Sequence, residues 1–181
     1  MLTVGDKFPA FELKAVTDGT LPDGDFPRMN NQSFSDKWLV VFFWPKDFTF
    51  ICPTEILAFD ELRDEFEAAG AALVGASTDT DFVHLAWRQS REDLAEVGFP
   101  WLADNKKELA AALGILDAGE GVALRATFIV DDHGIIRHAS VNDLDVGRNP
   151  REVLRILEGL KTGELCGCNW QPGQAALRPA A

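Results

Sequence analysis

The sequence predicts an α/β fold with a central mixed sheet flanked by helices. Short apolar runs rich in β-branched and aromatic residues recur along the chain, as expected of strands that are covered on both faces. They alternate with segments whose apolar residues are spaced three and four apart, the spacing of amphipathic helices. At 181 residues the chain is long enough for one domain with a substantial core. These observations favour an α/β sandwich.

The N-terminal part of the chain is predicted to lead into a buried central strand. A short strand is predicted for residues 4–11, and residues 18–31, which are rich in Gly, Pro and Asn, indicate an irregular loop or hairpin. Residues 39–43 form an unbroken apolar run, and Pro45 ends it. This run is typical of a central strand because it offers no polar residue to either face.

A helix and a second buried strand follow. Apolar residues within 54–69 recur at steps of three and four, which predicts a single amphipathic helix of several turns. Gly70 is placed to cap its C-terminus, and residues 71–76 are apolar enough for a second buried strand. A polar turn then leads to a predicted helix at 81–89.

The C-terminal half is predicted to contain a β-hairpin and a final helix. The hairpin turn is Asp131-Asp132-His133-Gly134, a sequence suited to a tight connection. Asn149 and Pro150 are typical of the cap and first turn of a helix. The remaining predicted elements are a short apolar piece at 100–104, a helix at 106–113 and the hairpin strands at 124–130 and 135–140.

Composition argues against several classes of function. The chain carries 29 acidic and 17 basic residues, a net charge of -12, with no basic cluster, which argues against a nucleic-acid partner. No apolar run approaches the ~20 residues that a membrane-spanning helix needs. The first residues lack the basic and long apolar segments of a secretory signal. We therefore expect no membrane association and a cytoplasmic location.

Three cysteines, Cys52, Cys166 and Cys168, point to redox or metal chemistry. An odd number without an export signal argues against a disulfide scaffold. Structural zinc sites take four ligands, typically in Cys-x-x-Cys pairs, whereas here no such pair exists and the three histidines are scattered. We therefore expect no metal. The missing Cys-x-x-Cys also leaves a thioredoxin-like disulfide reductase without its working pair.

Cys52 lies where the buried strand gives way to the helix. Pro53 suits the first turn, so the cysteine is predicted at a helix N-terminus, where unpaired N–H groups and the helix dipole favour an anion. Thr49 and Pro45 precede it in the pattern Pro-x-x-x-Thr-x-x-Cys. In such a turn the Thr49 hydroxyl can face a molecule that approaches the sulfur, while Pro45 shields the site from water. The alternative interpretation is a buried structural cysteine.

This pattern resembles the active-site motif of peroxiredoxins, and Phe-Thr-Phe-Ile-Cys-Pro-Thr-Glu resembles the version found in the typical two-cysteine group. The resemblance extends from about Asp6 to Trp170. It implies a thioredoxin-like fold with peroxiredoxin-type additions over residues 1–161, followed by a tail at 162–181 that carries a resolving cysteine. It also implies a thiol-specific peroxidase that reduces hydrogen peroxide and small organic hydroperoxides without a cofactor.

Further residues receive roles from the same resemblance. Arg125, at the head of a predicted strand, matches the arginine that contacts the peroxidatic sulfur; without the motif it would be interpreted as a solvent-exposed arginine at a strand end. Glu55 and Arg148 match the supporting carboxylate and the second arginine. Trp87 lies on a helix of the kind that flanks the active-site pocket, and a packed structural pair with His84 is the alternative.

The resemblance also implies how the oxidised sulfur is reduced. Cys166 matches the resolving cysteine, which in the typical two-cysteine group comes from the other subunit of an antiparallel homodimer, so we expect it to form a disulfide with Cys52 of a second chain. Such dimers are expected to close into decamers or dodecamers. Cys168 is expected either to relay the disulfide to a reductant or to take no part.

Differences from the family pattern indicate a subgroup. Phe-Trp-Pro-Lys at 43–46, the additional Cys168 and the Asn-Trp tail resemble the bacterial alkyl hydroperoxide reductase C subgroup that is served by alkylhydroperoxidase D. The expected reductant is therefore an alkylhydroperoxidase D-like or thioredoxin-like protein. The chain has no tyrosine and no Gly-Gly-Leu-Gly segment, so it lacks features of the peroxide-sensitive relatives. A holdase chaperone and a redox sensor or relay are the alternative functions.

Overall fold

The computed structural model describes residues 1–178, which form one sheet with helices packed against it. The strands are β1 (Glu12–Val16), β2 (Arg28–Asn30), β3 (Trp38–Phe43), β4 (Ala71–Ser77), β5 (Trp101–Ala103), β6 (Arg125–Val130) and β7 (Ile136–Asn142). The helices are α1 (Cys52–Asp60), α2 (Arg63–Ala68), α3 (Asp81–Ser90), α4 (Glu92–Ala95), α5 (Glu108–Leu113) and α6 (Pro150–Thr162), and a short 3₁₀ helix covers Asn31–Phe34.

The sheet has seven strands in the order β2-β1-β5-β4-β3-β6-β7. The pairs β3–β4 and β4–β5 are parallel, and the other neighbouring pairs are antiparallel. The prediction of a mixed sheet is therefore confirmed. β3 lies well inside the sheet, between β4 and β6, where Val41 pairs with Val74 on one side and Phe128 on the other. The loop that leaves β3 thus begins at the middle of the sheet.

Alternate residues of β3 belong to two separate cores. Val40 and Phe42 pack with residues of α1, α2, α3, α4 and α6, whereas Val41 and Phe43 pack with residues of α5 and the outer strands. All four are buried. Because side chains alternate along a strand, a strand covered on both faces needs an unbroken apolar run. The prediction of a buried central strand is confirmed.

The prediction of one continuous helix at 54–69 is wrong. The segment begins two residues earlier, at Cys52, and divides into α1 and α2. At the division the Leu62 N–H donates to the Phe59 carbonyl at 3.1 Å, three residues back rather than four. Both Leu62 and Phe66 are buried after this tighter turn. We attribute the break between α1 and α2 to the burial of these two apolar side chains.

The prediction of a strand at 4–11 is also wrong. Within the described residues this segment contributes an isolated bridge between Lys7 and Ile135. Gly5 has a φ of 94°, and Pro9 has no N–H to donate to a neighbouring strand. The first strand is β1, which pairs with β2 across the predicted loop or hairpin.

The other predicted elements agree with the structure to within about two residues. α5 begins later than predicted because Lys107 adopts a left-handed conformation, with a φ of 62°. α4 was not predicted, since four residues are too short for a periodic pattern. In the hairpin turn Asp131 accepts hydrogen bonds from the His133 and Ile135 N–H groups. At the start of α6 the Asn149 side chain forms the predicted cap.

The segment after α6 packs back on that helix. Trp170 is buried, and its carbonyl accepts a hydrogen bond from Arg155 Nη1 at 3.0 Å. Leu165 and Leu177 form an isolated antiparallel bridge. The predicted boundary between a domain at 1–161 and a tail at 162–181 falls at the end of α6, and this division stays a prediction. The last three residues of that tail lie outside the described part of the chain.

None of the helices within residues 1–178 combines the length and apolar character that crossing a membrane would require.

Candidate active site

Cys52 is the first residue of α1, and the structure confirms that it lies at a helix N-terminus. Pro53 occupies the next position, and no side chain caps this end of the helix. Pro53 has no N–H, and the Thr54 and Glu55 N–H groups donate to the Ile51 carbonyl. The feature of this helix end that favours an anion near the sulfur is therefore the positive end of the helix dipole. Cys52 is only 1% exposed, so a molecule that reacts with it must be small or must enter as the loop before α1 moves.

Arg125 lies against the sulfur. Its Nη1 is 3.4 Å from Cys52 Sγ and donates to Glu55 Oε2 at 2.6 Å. Arg125 is 4% exposed, which rules out the alternative of a strand-end arginine in solvent. β6 brings it there because β6 pairs directly with β3, the strand that leads to Cys52.

Glu55 joins this arginine to a second one. Arg148 donates to the Glu55 carboxylate from Nε at 2.7 Å, from Nη2 at 2.9 Å and from its backbone N–H at 3.0 Å. Its remaining Nη1 donates to the Ala126 carbonyl at 2.7 Å. The two side chains are almost fully buried. The structure thus brings together Cys52, Arg125, Glu55 and Arg148, the residues that the resemblance to peroxiredoxins assigned to the site.

The arginine and glutamate side chains of this cluster carry more positive than negative charge. Two guanidinium groups face one carboxylate, Glu55, at a site that excludes water. A buried charge without a partner is costly, and an anionic Cys52 would balance the second cation. The sulfur therefore lies beside the excess positive charge of the cluster.

The two arginines respond differently to their surroundings. Burial acts to lower the pKa of Arg125, but the hydrogen bond to Cys52 and the charge of Glu55 outweigh it and raise the pKa above its ordinary value. Burial lowers the pKa of Arg148, although Glu55 opposes the change. The ordinary pKa of an arginine is so high that both side chains stay protonated near neutral pH.

Pro45 and Thr49 lie in the loop between β3 and α1. Pro45 is buried, whereas Thr49 is half-buried. The Thr49 hydroxyl donates to the Lys46 carbonyl at 2.9 Å, which leaves its oxygen lone pairs available as acceptors. Among the described contacts the hydroxyl forms no hydrogen bond with Cys52. The predicted orientation of Thr49 toward an approaching molecule therefore stays a prediction.

A buried polar network under the same loop was missed by the sequence analysis. Asp47 accepts a hydrogen bond from Trp44 Nε1 at 2.7 Å and lies 2.6 Å from His84 Nδ1. The Asp47 N–H donates to Asp79 at 2.8 Å. The network ties the loop to α3. A charged residue within the motif, next to buried strand residues, was the available signal, but sequence spacing could not pair residues 47 and 84.

Trp87 supports the loop from another side. It is buried, and its ring lies 5.9 Å from that of Phe48 and 5.7 Å from that of Trp101. The expected pair of His84 with Trp87 is not the main one, since His84 contacts Asp47 and the ring of Trp44 instead. Phe48 itself has a φ of 55°, a conformation that is uncommon for a bulky residue.

The other two cysteines lie in the C-terminal segment. Cys166 is half-buried against α6, with its sulfur 3.5 Å from Thr162 Oγ1 and 3.7 Å from the Gly159 carbonyl. Cys168 is exposed, and all three cysteines are free. Within this chain Cys166 and Cys52 are not brought into contact. Among residues 1–178 no group of three or more His, Cys, Asp and Glu side chains is arranged to hold a metal ion.

Comparison with known proteins places this cluster in a family context. Residues 4–139 match the model of the AhpC/TSA family. The chain is 48% identical to alkyl hydroperoxide reductase C of Mycolicibacterium smegmatis, over 98% of this chain and 94% of that protein. It is 42% identical to a thioredoxin peroxidase of Echinococcus granulosus, over 98% and 93%.

Solved structures of peroxiredoxins also match the fold of this chain. The fold matches AhpC of Mycobacterium tuberculosis with a TM-score of 0.86 at 47% identity, over 94% of this chain and 99% of that one. It matches the reduced 2-Cys peroxiredoxin of Plasmodium vivax with a TM-score of 0.89 at 33% identity, over 98% and 93%. The expectation of a thioredoxin-like fold with peroxiredoxin-type additions is confirmed. By sequence along most of its length and by fold, the chain belongs to the AhpC/TSA family and is a peroxiredoxin enzyme.

Proposed function

We propose that this protein is a thiol-specific peroxidase that reduces hydrogen peroxide and small organic hydroperoxides, with Cys52 as the nucleophile. One observation carries the proposal: a buried cysteine at a helix N-terminus lies 3.4 Å from the guanidinium of a buried arginine, Arg125. The names of the relatives, alkyl hydroperoxide reductase C and thioredoxin peroxidase, agree with this chemistry. The proposed physiological role is antioxidant defence.

In the proposed reaction the Cys52 thiolate attacks one oxygen of ROOH. An S–O bond forms as the O–O bond breaks, the sulfur is oxidised by two electrons to sulfenic acid, and RO⁻ takes up a proton and leaves as water or an alcohol. Negative charge therefore moves from the sulfur to the departing oxygen. Fixed donors must lie near both atoms to stabilise this transition state.

Ionisation of the sulfur explains only a small part of the expected rate. A cysteine in water is about 3% thiolate at pH 7, so complete ionisation gains at most roughly thirtyfold, and a more stable thiolate is a weaker nucleophile. We propose that Arg125 supplies the larger part, as a donor to the peroxide oxygens. The Thr49 hydroxyl, whose own hydrogen is donated to the Lys46 carbonyl, would accept a hydrogen bond from the peroxide. Backbone N–H groups around Cys52 would complete the set, with Pro45 keeping water out.

Glu55 and Arg148 would act on the sulfur indirectly. Glu55 contacts both guanidinium groups, and Arg148 is fixed at four hydrogen-bonding atoms. A carboxylate held in this way fixes the position of Arg125 before the peroxide binds. Trp87, which packs against Phe48 of the preceding loop, would limit how far that loop moves.

The sulfenic acid would then be resolved by Cys166 of the partner subunit in a homodimer. The Cys166 sulfur attacks the oxidised sulfur and supplies the electron pair of the new S–S bond. The S–O bond breaks, and the hydroxyl leaves as water with the proton of the thiol. An exposed Cys168 beside Cys166 suits a relay of the disulfide to an alkylhydroperoxidase D-like or thioredoxin-like reductant. Closure of dimers into a decamer or dodecamer and a cytoplasmic location stay predictions.

Peroxide consumption by four proteins tests the proposal: the wild type and the variants Cys52→Ser, Cys166→Ser and Cys168→Ser, each with several candidate reductants. We expect Cys52→Ser to be inactive with every reductant. Cys166→Ser should form one sulfenic acid per chain and then stop when the reductant is a protein. Substantial activity in Cys52→Ser would overturn the assignment of the nucleophile.

A further inference from the structure

The plane of the Arg125 guanidinium is set by an acceptor outside the reacting cluster. Arg125 Nε donates to the Leu144 carbonyl at 2.7 Å, while Nη1 faces Glu55 and Cys52. A guanidinium is planar and its donors have fixed directions. Hydrogen bonds at Nε and Nη1 together therefore fix the orientation of the group as well as its position. If the Leu144 carbonyl moved, only the contacts at Nη1 would hold the group, and its plane would be free to rotate about them.

Leu144 belongs to the loop at 143–148, and Asn142 closes that loop. Asn142 is the last residue of β7, directly opposite Arg125 in the register of β6 and β7. Its Nδ2 donates to the carbonyls of Val146 and Gly147, at 3.2 and 3.1 Å. One side-chain amide thus joins the beginning of the loop to its end.

We propose that Asn142 is a positioning residue for the peroxidase reaction and acts on Arg125 through the Leu144 carbonyl. It does not contact the reacting atoms. Without its two hydrogen bonds the loop would sample other shapes, as loops with few internal bonds do, and Arg125 would lose its fixed acceptor at Nε. This inference rests on the proposed role of Arg125.

The Asn142→Ala variant removes both donors. We expect the rate at which hydrogen peroxide oxidises Cys52 in a single turnover to fall about tenfold to hundredfold, the scale of a small misplacement of a reacting group. Asp145→Ala is the matched control. Its exposed side chain lies in the same loop and makes no hydrogen bond with the described residues, so this variant should keep the wild-type rate.

A double-mutant cycle distinguishes positioning from general damage. In an Arg125→Ala background Asn142→Ala should cause no further loss of rate, because the group that it positions is absent. Asn142→Asp, which keeps the size of the side chain but cannot donate, should reproduce both results if Asn142→Ala fails to fold.

Two outcomes would overturn the inference while leaving the proposed function intact. One is a wild-type rate in both Asn142 variants. The other is the same fold loss in the wild-type and Arg125→Ala backgrounds. A wild-type rate in Arg125→Ala alone would instead contradict the proposed function, since it would remove Arg125 from the reaction.

Discussion

At the scale of single residues, the site is organised by the balance of charge around Cys52. Two buried arginines share one carboxylate, Glu55, and one of them also contacts the sulfur. The motif alone located Cys52, and the resemblance located Arg125, Glu55 and Arg148. Asn142 and Asp47 could not be assigned in this way because their partners are backbone carbonyls or distant side chains that only the folded chain brings near.

Glu55→Gln tests how much this carboxylate contributes to stability. The substitution keeps the shape but leaves two buried guanidinium groups without their shared anion. We expect the free energy of unfolding to fall by about 3–5 kcal/mol, the cost of breaking a buried ion pair from one side. Urea unfolding of the wild type and the variant measures this difference in free energy.

Glu152→Gln is the matched control for this measurement. Glu152 forms a bidentate pair with Arg155 on the surface, and exposed pairs contribute at most about 1 kcal/mol. If both variants lost the same free energy of unfolding, the buried Glu55 cluster would stabilise the protein no more than an exposed ion pair does.

At the scale of elements, the loop before α1 is held by the helix that follows β4. His84 of α3 contacts Asp47 of the loop, and Trp87 of α3 packs on Phe48. The sequence located α3 correctly, and the helix has one apolar face. It could not show that the same face presents a histidine to a buried aspartate, since that pairing depends on how the loop folds over the helix.

His84→Ala is expected to destabilise the protein by about 2–4 kcal/mol, because it leaves a cavity and removes a buried partner of Asp47. Thermal or urea unfolding would report this loss. His133→Ala provides the comparison: His133 lies in the exposed hairpin turn with its side chain 84% accessible, and its removal should change stability little. A small effect at both positions would contradict a structural role for the His84–Asp47 contact.

His138 in β7 should make stability depend on pH. Burial lowers its pKa, while Glu152 acts in the opposite direction and does not cancel the effect. The unfolded chain therefore binds a proton more readily, and protonation near and below the ordinary histidine value of about 6.5 favours unfolding.

The wild type should accordingly lose unfolding free energy relative to His138→Gln as the pH falls from about 7.5 to about 5.5. Denaturant unfolding of both proteins across this range provides the measurement. A difference that stays constant, or that changes in the opposite direction, would show that His138 is not desolvated in the folded protein.

At the scale of the whole molecule, the fold class and most elements along the chain were predicted, whereas the order of the strands in the sheet was not. β3, β4 and β6 were predicted because each contains an apolar run, and β7 was predicted because a hairpin turn precedes it. The failures lie where local geometry decides: the break between α1 and α2, and the bridge at Lys7 in place of a strand. These two details depend on tertiary packing, because the local sequence pattern fits either conformation.

The C-terminal segment carries a prediction about overoxidation. Cys166 must leave its position against α6 before it reaches Cys52 of a second chain, and residues 167–178 form no helix or named strand that would have to unfold first. We therefore expect disulfide formation with Cys166 to be faster than a second oxidation of Cys52. Mass spectrometry after turnover with a modest excess of peroxide should find little sulfinic Cys52; its accumulation would contradict the expectation.

The most direct test of the whole account is the rate at which hydrogen peroxide oxidises Cys52 in a single turnover, measured with and without the Arg125 guanidinium. We predict that the wild-type thiol reacts at least about a thousandfold faster than free cysteine, and that Arg125→Ala loses about 10²–10³ of that rate, as expected when a fixed donor to a developing oxyanion is removed. A wild-type thiol that reacts no faster than free cysteine, or an Arg125→Ala protein with an unchanged rate, would contradict it.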